Sequence, residues 1–178
     1  MALTNEQIIE KLTGRFGEVV TGYEESYGML SFEVDRNHAI EVMQFLRDDE
    51  TLRFNFLTTL CGVHYPDNEL ERQLAVVYHM HNWMDNVRIR FKAFLNGENP
   101  EVGTATGLFN SANWQERETY DFYGIIFKGH PDLRRILNMD EMVSFPMRKE
   151  FPMEDQGRTD KDDRYFGRIP ATTQVGNK

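Results

Sequence analysis

The sequence predicts an α+β domain: a largely antiparallel mixed sheet with helices packed on one face, followed by an extended C-terminal tail. Three observations predict it. Segments with helical apolar spacing stand before and after a block of adjacent strand-like segments instead of alternating with them. One of those strands, VRIRFKAFL at 87–95, puts Val87, Ile89, Phe91, Ala93 and Leu95 on one face and Arg88, Arg90 and Lys92 on the other, so one face of the sheet must meet solvent or another polar surface. Beyond Gly129 periodicity fades, and Pro131, Pro146, Pro152 and Pro170 supply four of the chain's six prolines.

Taken in order, Thr4 with Gln7 three residues later is a capping box, and Ile8, Ile9, Leu12 and Phe16 recur at helical spacing. This predicts a helix over 5–13, ended by Gly14 and Gly17. GMLSFEV alternates Leu30, Phe32 and Val34 as a half-buried strand, and Asp35 is placed to cap a helix whose Ala39, Ile40, Met43 and Leu46 share a stripe. RFNFLTTLCGVHY and QLAVVYHMHN flank the turn signal PDNE and predict a hairpin. Thr104 is placed to cap a short helical turn through ATGLF, and Asn113 a helix from Trp114 that stops at Gly124. In GHPDLRRIL, Gly129 permits an unusual backbone angle, Pro131 suits a first helical turn and Asp132 its positive end, which predicts a short helix. The expected organisation is an α+β domain at 1–127, then a helix and an extended partner-binding tail at 128–178.

The 178 residues carry 20 Lys and Arg against 29 Asp and Glu, a net charge of −9. That field repels phosphate backbones and anionic lipid, which argues against nucleic acid. The charge is uneven: residues 1–127 hold 10 basic and 20 acidic side chains, residues 128–178 hold 10 and 9. A single cysteine, Cys61, makes no internal disulfide and no Cys-based zinc or iron–sulfur cage, which suits a reducing compartment. The N-terminus MALTNEQIIEKL lacks the apolar core of a signal peptide, and no run approaches about 18 apolar residues, so membrane contact is expected only through partners.

The densest chemistry lies in NWQERETYDFYGIIFKGHPDLRRIL, 113–137. On a helical wheel Trp114, Arg117, Glu118, Asp121 and Phe122 fall within about 140°. This predicts a partly buried network of Arg117, Glu118 and Asp121, since an unmatched buried charge costs about 3–5 kcal/mol; the alternative is an ordinary solvated helix with a few i,i+4 pairs worth about 0.2–0.5 kcal/mol each. Glu116 and Glu118 lie about 200° apart and cannot face one another across a glycosidase-like cleft. Arg134 and Arg135, diverging by about 100° on the predicted short helix, can hold two separate acidic partners, one on this domain and one elsewhere, the alternative being a solvated basic helix. Elsewhere, His79 and His81 share a strand face and His64 follows Cys61 by three, an arrangement that a His/Cys metal site or a Cys61 nucleophile would use. Packing and hydrogen-bonding roles are the commoner use of such residues. GTATGLF has no lysine and no Gly-x-Gly-x-x-Gly follows a strand, so nucleotide binding has no support.

The run ERETYDFYGIIFKGHPDLRRIL resembles the signature of the 30 kDa subunit of respiratory complex I, the bacterial NADH–quinone oxidoreductase. Glu116, Arg117, Glu118, Asp121, Gly124, Phe127, Gly129, His130, Pro131, Leu133, Arg134, Arg135, Ile136 and Leu137 occupy the places of that pattern. Upstream SANWQ and downstream FPMRKEFP are similar to it too, with Met147, Glu150 and Phe151 as departures and MVSF in place of the usual acidic-Gly-His or acidic-Gly-Tyr lead-in. The resemblance covers roughly 5–165. It implies a peripheral-arm subunit with no cofactor, metal or catalytic residue of its own, the flavin (FMN) and iron–sulfur clusters lying in other subunits. It also implies a tail running over the neighbouring quinone-reducing subunit and a place on the cytoplasmic side of the bacterial inner membrane. The same pattern fits the equivalent subunit of a membrane-bound hydrogenase or formate-oxidising complex, and a stand-alone metal enzyme using the central histidines is the reading from a different class.

Ordering a backbone costs about 1–2 kcal/mol per residue, so a tail without its own core needs a partner surface. Phe145, Phe151, Tyr165 and Phe166, interleaved with Arg148, Arg158, Arg164 and Arg168, have the make-up of interface anchors. The residues expected to engage partners are Glu116, Arg117, Glu118, Asp121, His130, Arg134, Arg135, Arg148, Lys149, Phe151 and Tyr165.

Overall fold

The structure, a computed structural model, describes residues 3–151. Helix α1 (Asn5–Phe16) is followed by β1 (Val20–Ser26), β2 (Met29–Val34), α2 (Ala39–Asp48), β3 (Phe56–His64), β4 (Leu74–Asn82) and β5 (Val87–Leu95). Then come β6 (Glu101–Gly103), α3 (Ala112–Tyr123) and β7 (Ile126–Lys128). The first five strands form one sheet in the order β1-β2-β5-β4-β3, antiparallel except for the parallel β2–β5 pair. β6 and β7 pair in parallel as a separate two-stranded sheet. The α+β expectation holds.

The alternation read from 87–95 is the organising feature. Leu30, Phe32, Tyr78, Met80, Ile89 and Phe91 are at most 2% exposed and belong to one core. Ile8 and Leu12 of α1 and Val42, Met43 and Leu46 of α2 complete that core. Each such side chain contributes roughly 1.5–3 kcal/mol through burial. The helix α3 packs on β3: Leu60 N–H donates to the Gln115 side-chain carbonyl, and Gly62 gives room for Tyr123 and Thr119. A Cβ on Gly62 would stand 2.5 Å from the Tyr123 ring, so this helix approaches the strand backbone itself.

Several local expectations are corrected. The first helix runs through Gly14 to Phe16 and stops only at Gly17, whose φ of 52° is glycine's territory. Its capping box is present as expected, Thr4 with Gln7. Asp35 does not cap α2; its carboxylate accepts from Asn37 N–H at 2.8 Å and holds the turn, and the helix begins after His38 without a side-chain cap. α3 begins at Ala112, so Asn113 is inside its first turn; it ends at Gly124 in the left-handed conformation, as the sequence suggests. The expected helix at 131–137 does not form. Residues 129–151 contain turns and bends and no helix or strand. The stretch expected to be extended beyond Pro152, with Arg158, Arg164, Tyr165, Phe166 and Arg168, lies outside the described residues.

Candidate functional site

Residues 129–151 form a strap across α3, and polar groups fasten it. The last carbonyls of a helix have no partner within it, and here the strap supplies them. Arg135 Nη1 donates to Asp121 O at 2.9 Å, Met147 N–H to Phe122 O at 3.2 Å and Arg148 Nε to Tyr123 O at 2.8 Å. Cations at a helix C-terminus also suit the negative end of its dipole. The Phe145 ring lies near both guanidiniums, 5.0 Å from Arg135 and 5.3 Å from Arg148, and against Gly124, where a Cβ would be 2.5 Å from it.

Asp121 is the strongest fastening. Its buried carboxylate accepts from Arg135 Nη1 at 2.7 Å, from Asn138 Nδ2 at 3.0 Å and from the backbone N–H groups of Ile136, Leu137 and Asn138 at 2.8–3.1 Å. Burial alone would raise this carboxyl, but the bonds from Asn138, Leu137 and Arg135 outweigh it and hold it far below the usual carboxylate range. A second Arg135 nitrogen, Nη2, donates to Met142 O at 2.7 Å and Ser144 O at 3.1 Å. The pair is thus matched by hydrogen bonds on both partners, the condition under which a buried ion pair is tolerated.

Just over one helical turn earlier, Glu116 fastens a different segment. It is fully buried, accepting from Thr104 Oγ1 at 2.5 Å and Ala105 N–H at 2.6 Å. Burial dominates, and its carboxyl is pushed up to about 7 against the pull of those two bonds. His130 lies beside it, Nε2 at 4.0 Å, with both side chains sealed from solvent. Asp132 N–H donates to His130 Nδ1 at 3.0 Å, which places the ring proton on Nε2, facing Asn113 O at 3.2 Å.

The predicted network of Arg117, Glu118 and Asp121 does not form. Glu118 is exposed, and Arg117 turns to the start of the strap, its Nε donating to Arg134 O at 3.2 Å and its guanidinium 4.9 Å from the Trp114 ring. Asp121 pairs with Arg135 instead, because the strap returns along the helix and delivers that cation to it. Nor do Arg134 and Arg135 diverge from a helix: Arg134 is exposed on Asp132 at 3.0 Å, and the Arg135 side chain is buried. Of the residues expected to engage partners, Glu116, Asp121, His130, Arg135 and Arg148 are all occupied within the chain. Glu118, Arg134, Lys149 and Phe151 are exposed, and Tyr165 lies outside the described residues. Lys149 N–H donates to His64 Nδ1 at 2.8 Å, which gives a strand histidine considered for a metal site the task of anchoring the strap to β3.

Among the described residues, no group of three or more His, Cys, Asp or Glu side chains is placed to hold a metal ion, and no helix is long and apolar enough to cross a membrane. Burial raises the Cys61 thiol, assisted by the charge of Glu118, the opposite of what a nucleophile requires. The strap also presents apolar side chains outward, among the exposed charged residues Asp132, Arg134, Asp140, Glu141, Lys149 and Glu150. Leu137, Met139, Val143, Met147 and Phe151 are between 41% and 93% exposed along the strap, while the fastening polar groups are turned inward.

A family model described as the respiratory-chain NADH dehydrogenase 30 kDa subunit matches residues 32–157. The chain belongs to that family. It is 41% identical over 172 residues to a NADH-quinone oxidoreductase subunit of Roseiflexus sp. (strain RS-1), covering 96% of this chain and 98% of the relative. It is 40% identical over 164 residues to the corresponding subunit of Rhizobium meliloti (strain 1021), covering 92% and 87%. Among solved structures, a trypsin-resistant fragment (1-134) of Nqo5 matches with TM-score 0.58 and 32% identity over 72% of this chain and 98% of that one. A chain of an archaeal membrane-bound sulfane sulfur reductase shares the fold, with TM-score 0.67 at 19% identity over 83% and 85%. The complex I 30 kDa family therefore accounts for the strap sequence. The curated relatives carry the name of a subunit of NADH-quinone oxidoreductase.

Proposed function

We propose that this chain is a cofactor-free scaffold within the peripheral arm of proton-pumping NADH:quinone oxidoreductase. Residues 1–127 form the folded body. Residues 128–178 dock on the quinone-reducing subunit and its neighbours, which keeps the quinone-reducing core in register and supports electron transfer from NADH to quinone through assembly alone. The chain performs no chemical step; the flavin and the iron–sulfur clusters belong to other subunits. Its place is the cytoplasmic side of the bacterial inner membrane, held there by the complex.

The observation that carries this reading is the strap's polarity. Its fastening charged groups face inward onto α3, and Leu137, Met139, Val143, Met147 and Phe151 face outward. Exposed apolar side chains on a pinned backbone, interleaved with exposed charges, suit a partner surface with an apolar core and a polar rim. The trypsin-resistant 1-134 fragment of Nqo5 is consistent with a body that stands without its tail.

Limited trypsin digestion of the full chain, alone and in the assembled complex, tests it. Alone, the sheet should resist and the chain beyond the strap should be cut; in the complex, both should resist. A tail equally resistant without partners would sink the docking role.

A further inference from the structure

Beside the strap's first turn lies an open groove of about 800 Å³, lined by the start of α3, the loop at 106–110 and residues 129–134. Resting on the docking role proposed above, we infer that this groove receives a carboxylate side chain of the partner polypeptide, held by Arg117 against the face of Trp114 and flanked by Arg134.

Arg117 is only 7% exposed, yet no carboxylate of the described residues pairs with it. Its one hydrogen bond among the described residues uses Nε, to Arg134 O, which fixes the plane of the guanidinium. Nη1 and Nη2 have no hydrogen bond to any described residue, and Arg117 lines the groove. The two nitrogens are the pair that a carboxylate engages side by side. A nearly buried cation without a carboxylate among the described residues is unusual in a chain of net charge −9, and the neighbouring described acids are committed elsewhere: Glu116 to Thr104 and Ala105, Asp121 to Arg135, Glu118 to solvent.

Trp114 forms the wall. It is 63% exposed, although its ring carries the Arg117 guanidinium at 4.9 Å. An arriving surface would cover the indole and remove water from the guanidinium in one movement, and desolvation is what makes an arginine–carboxylate contact strong. Arg134, across the groove, is held only by an exposed contact to Asp132, with the two side chains 71% and 53% exposed, a type of pair worth little in water and readily exchanged. The groove is open, so a small free anion would remain hydrated there, and the acidic body repels it. A carboxylate carried on a polypeptide brings its own cover. The groove is also continuous with the strap at Arg134, so one partner surface can meet both the groove and the exposed apolar side chains beyond it.

The test measures dissociation constants of the full chain for the parent complex stripped of this chain, at roughly 0.05 and 0.3 M NaCl. Arg117→Gln should weaken binding about tenfold or more at low salt, with the gap narrowing at high salt. Arg117→Lys, which keeps charge but not the fork, should lose less and serves if the glutamine variant folds poorly. Asp132→Asn should bind a few-fold tighter, because it frees Arg134; a purely structural role for this corner gives the opposite sign. Binding by the wild type with unchanged affinity and salt dependence in the Arg117 and Trp114→Ala variants would overturn the groove and leave the docking role standing. No binding by the wild type overturns both. A wild-type dimer abolished by Trp114→Ala would reassign the groove to a second copy of this chain and overturn the partner assignment.

Discussion

In the five-stranded sheet, Tyr78 stacks on Phe91 at 4.6 Å and Phe91 on Phe32 at 5.7 Å, and the neighbouring layers are aliphatic. In the strap, no comparable core exists; residues 129–151 stay in place because Asp121, Arg135 and Arg148 exchange hydrogen bonds with backbone groups on both sides. The first region is stabilised by removing apolar surface from water, a non-directional force, the second by matching charges whose geometry must be right. Polar truncation should therefore be disastrous in one region and harmless in the other. α3 belongs to both, packing its Thr119 and Tyr123 on the sheet while its C-terminus receives the strap.

The comparison breaks most visibly at Asp121. Asp121→Ala leaves Arg135 buried and unpaired and withdraws the acceptor from three backbone N–H groups, a loss expected at about 3–5 kcal/mol. Hydrogen exchange should show the amides of Ile136, Leu137 and Asn138 opening while those of β4 stay protected. Equal loss of protection in β4 would mean that strap and sheet are one cooperative unit.

Glu116 sharpens it through pH. Its carboxyl stands at about 7 in the folded chain against an ordinary 4.5, so between those values the folded state keeps a proton that the unfolded state has released. The group's contribution is complete below about 4.5 and is lost as pH rises through about 7, amounting to about 3 kcal/mol. Asp121, held low, acts in the other direction and only in acid. Glu116→Gln should flatten the slope of stability between about pH 5 and 7 in urea titrations, roughly following that figure, and leave the acid limb intact. An unchanged slope would show that the carboxylate is better solvated than its burial indicates.

At the joint between the regions, Gly62→Ala would drive a methyl into the Tyr123 ring and should cost about 1–3 kcal/mol. Because Tyr123 O holds Arg148 Nε, this substitution should loosen the strap as well as the sheet. Exchange confined to β3 would show that α3 absorbs the displacement without passing it on.

How far each region can be read from the sequence follows from the same physics. Burial repeats with the pleat and the helical turn, so VRIRFKAFL announces its strand, and Leu74, Val76, Tyr78 and Met80 their shared face, which the structure gives as buried throughout. Directional bonds leave no period. PDLRRIL has helical composition, but the N–H groups of Ile136 and Leu137, which a helix would aim at its own carbonyls, are taken by Asp121, 15 and 16 residues back. Arg135's other partners are the backbone carbonyls of Met142 and Ser144, which no side-chain pattern encodes. Lys149 meets His64 across 85 residues. Even so, the crowding of acids and arginines at 116–135 marks where the polar fastening lies; what it does not assign is which acid meets which base.

The smallest expected effect is the one that separates the two regions by sign. Tyr78 is fully buried in the middle of β4, its ring stacked on Phe91, and its hydroxyl has no hydrogen-bond partner among the described residues. Burial pushes that hydroxyl's titration upward, with the Glu116 charge adding to it, so it stays protonated and is desolvated without return. Tyr78→Phe keeps the stacked ring and removes the stranded oxygen, and it should stabilise the chain by about 1 kcal/mol, read as a higher urea midpoint at unchanged slope. The same deletion of one polar group that unfastens the strap at Asp121 would then tighten the sheet at Tyr78. A destabilised Tyr78→Phe would instead place a hydrogen-bonded water or a contact with Glu116 inside the core, and the sheet would be held partly by the directional bonds assigned here to the strap.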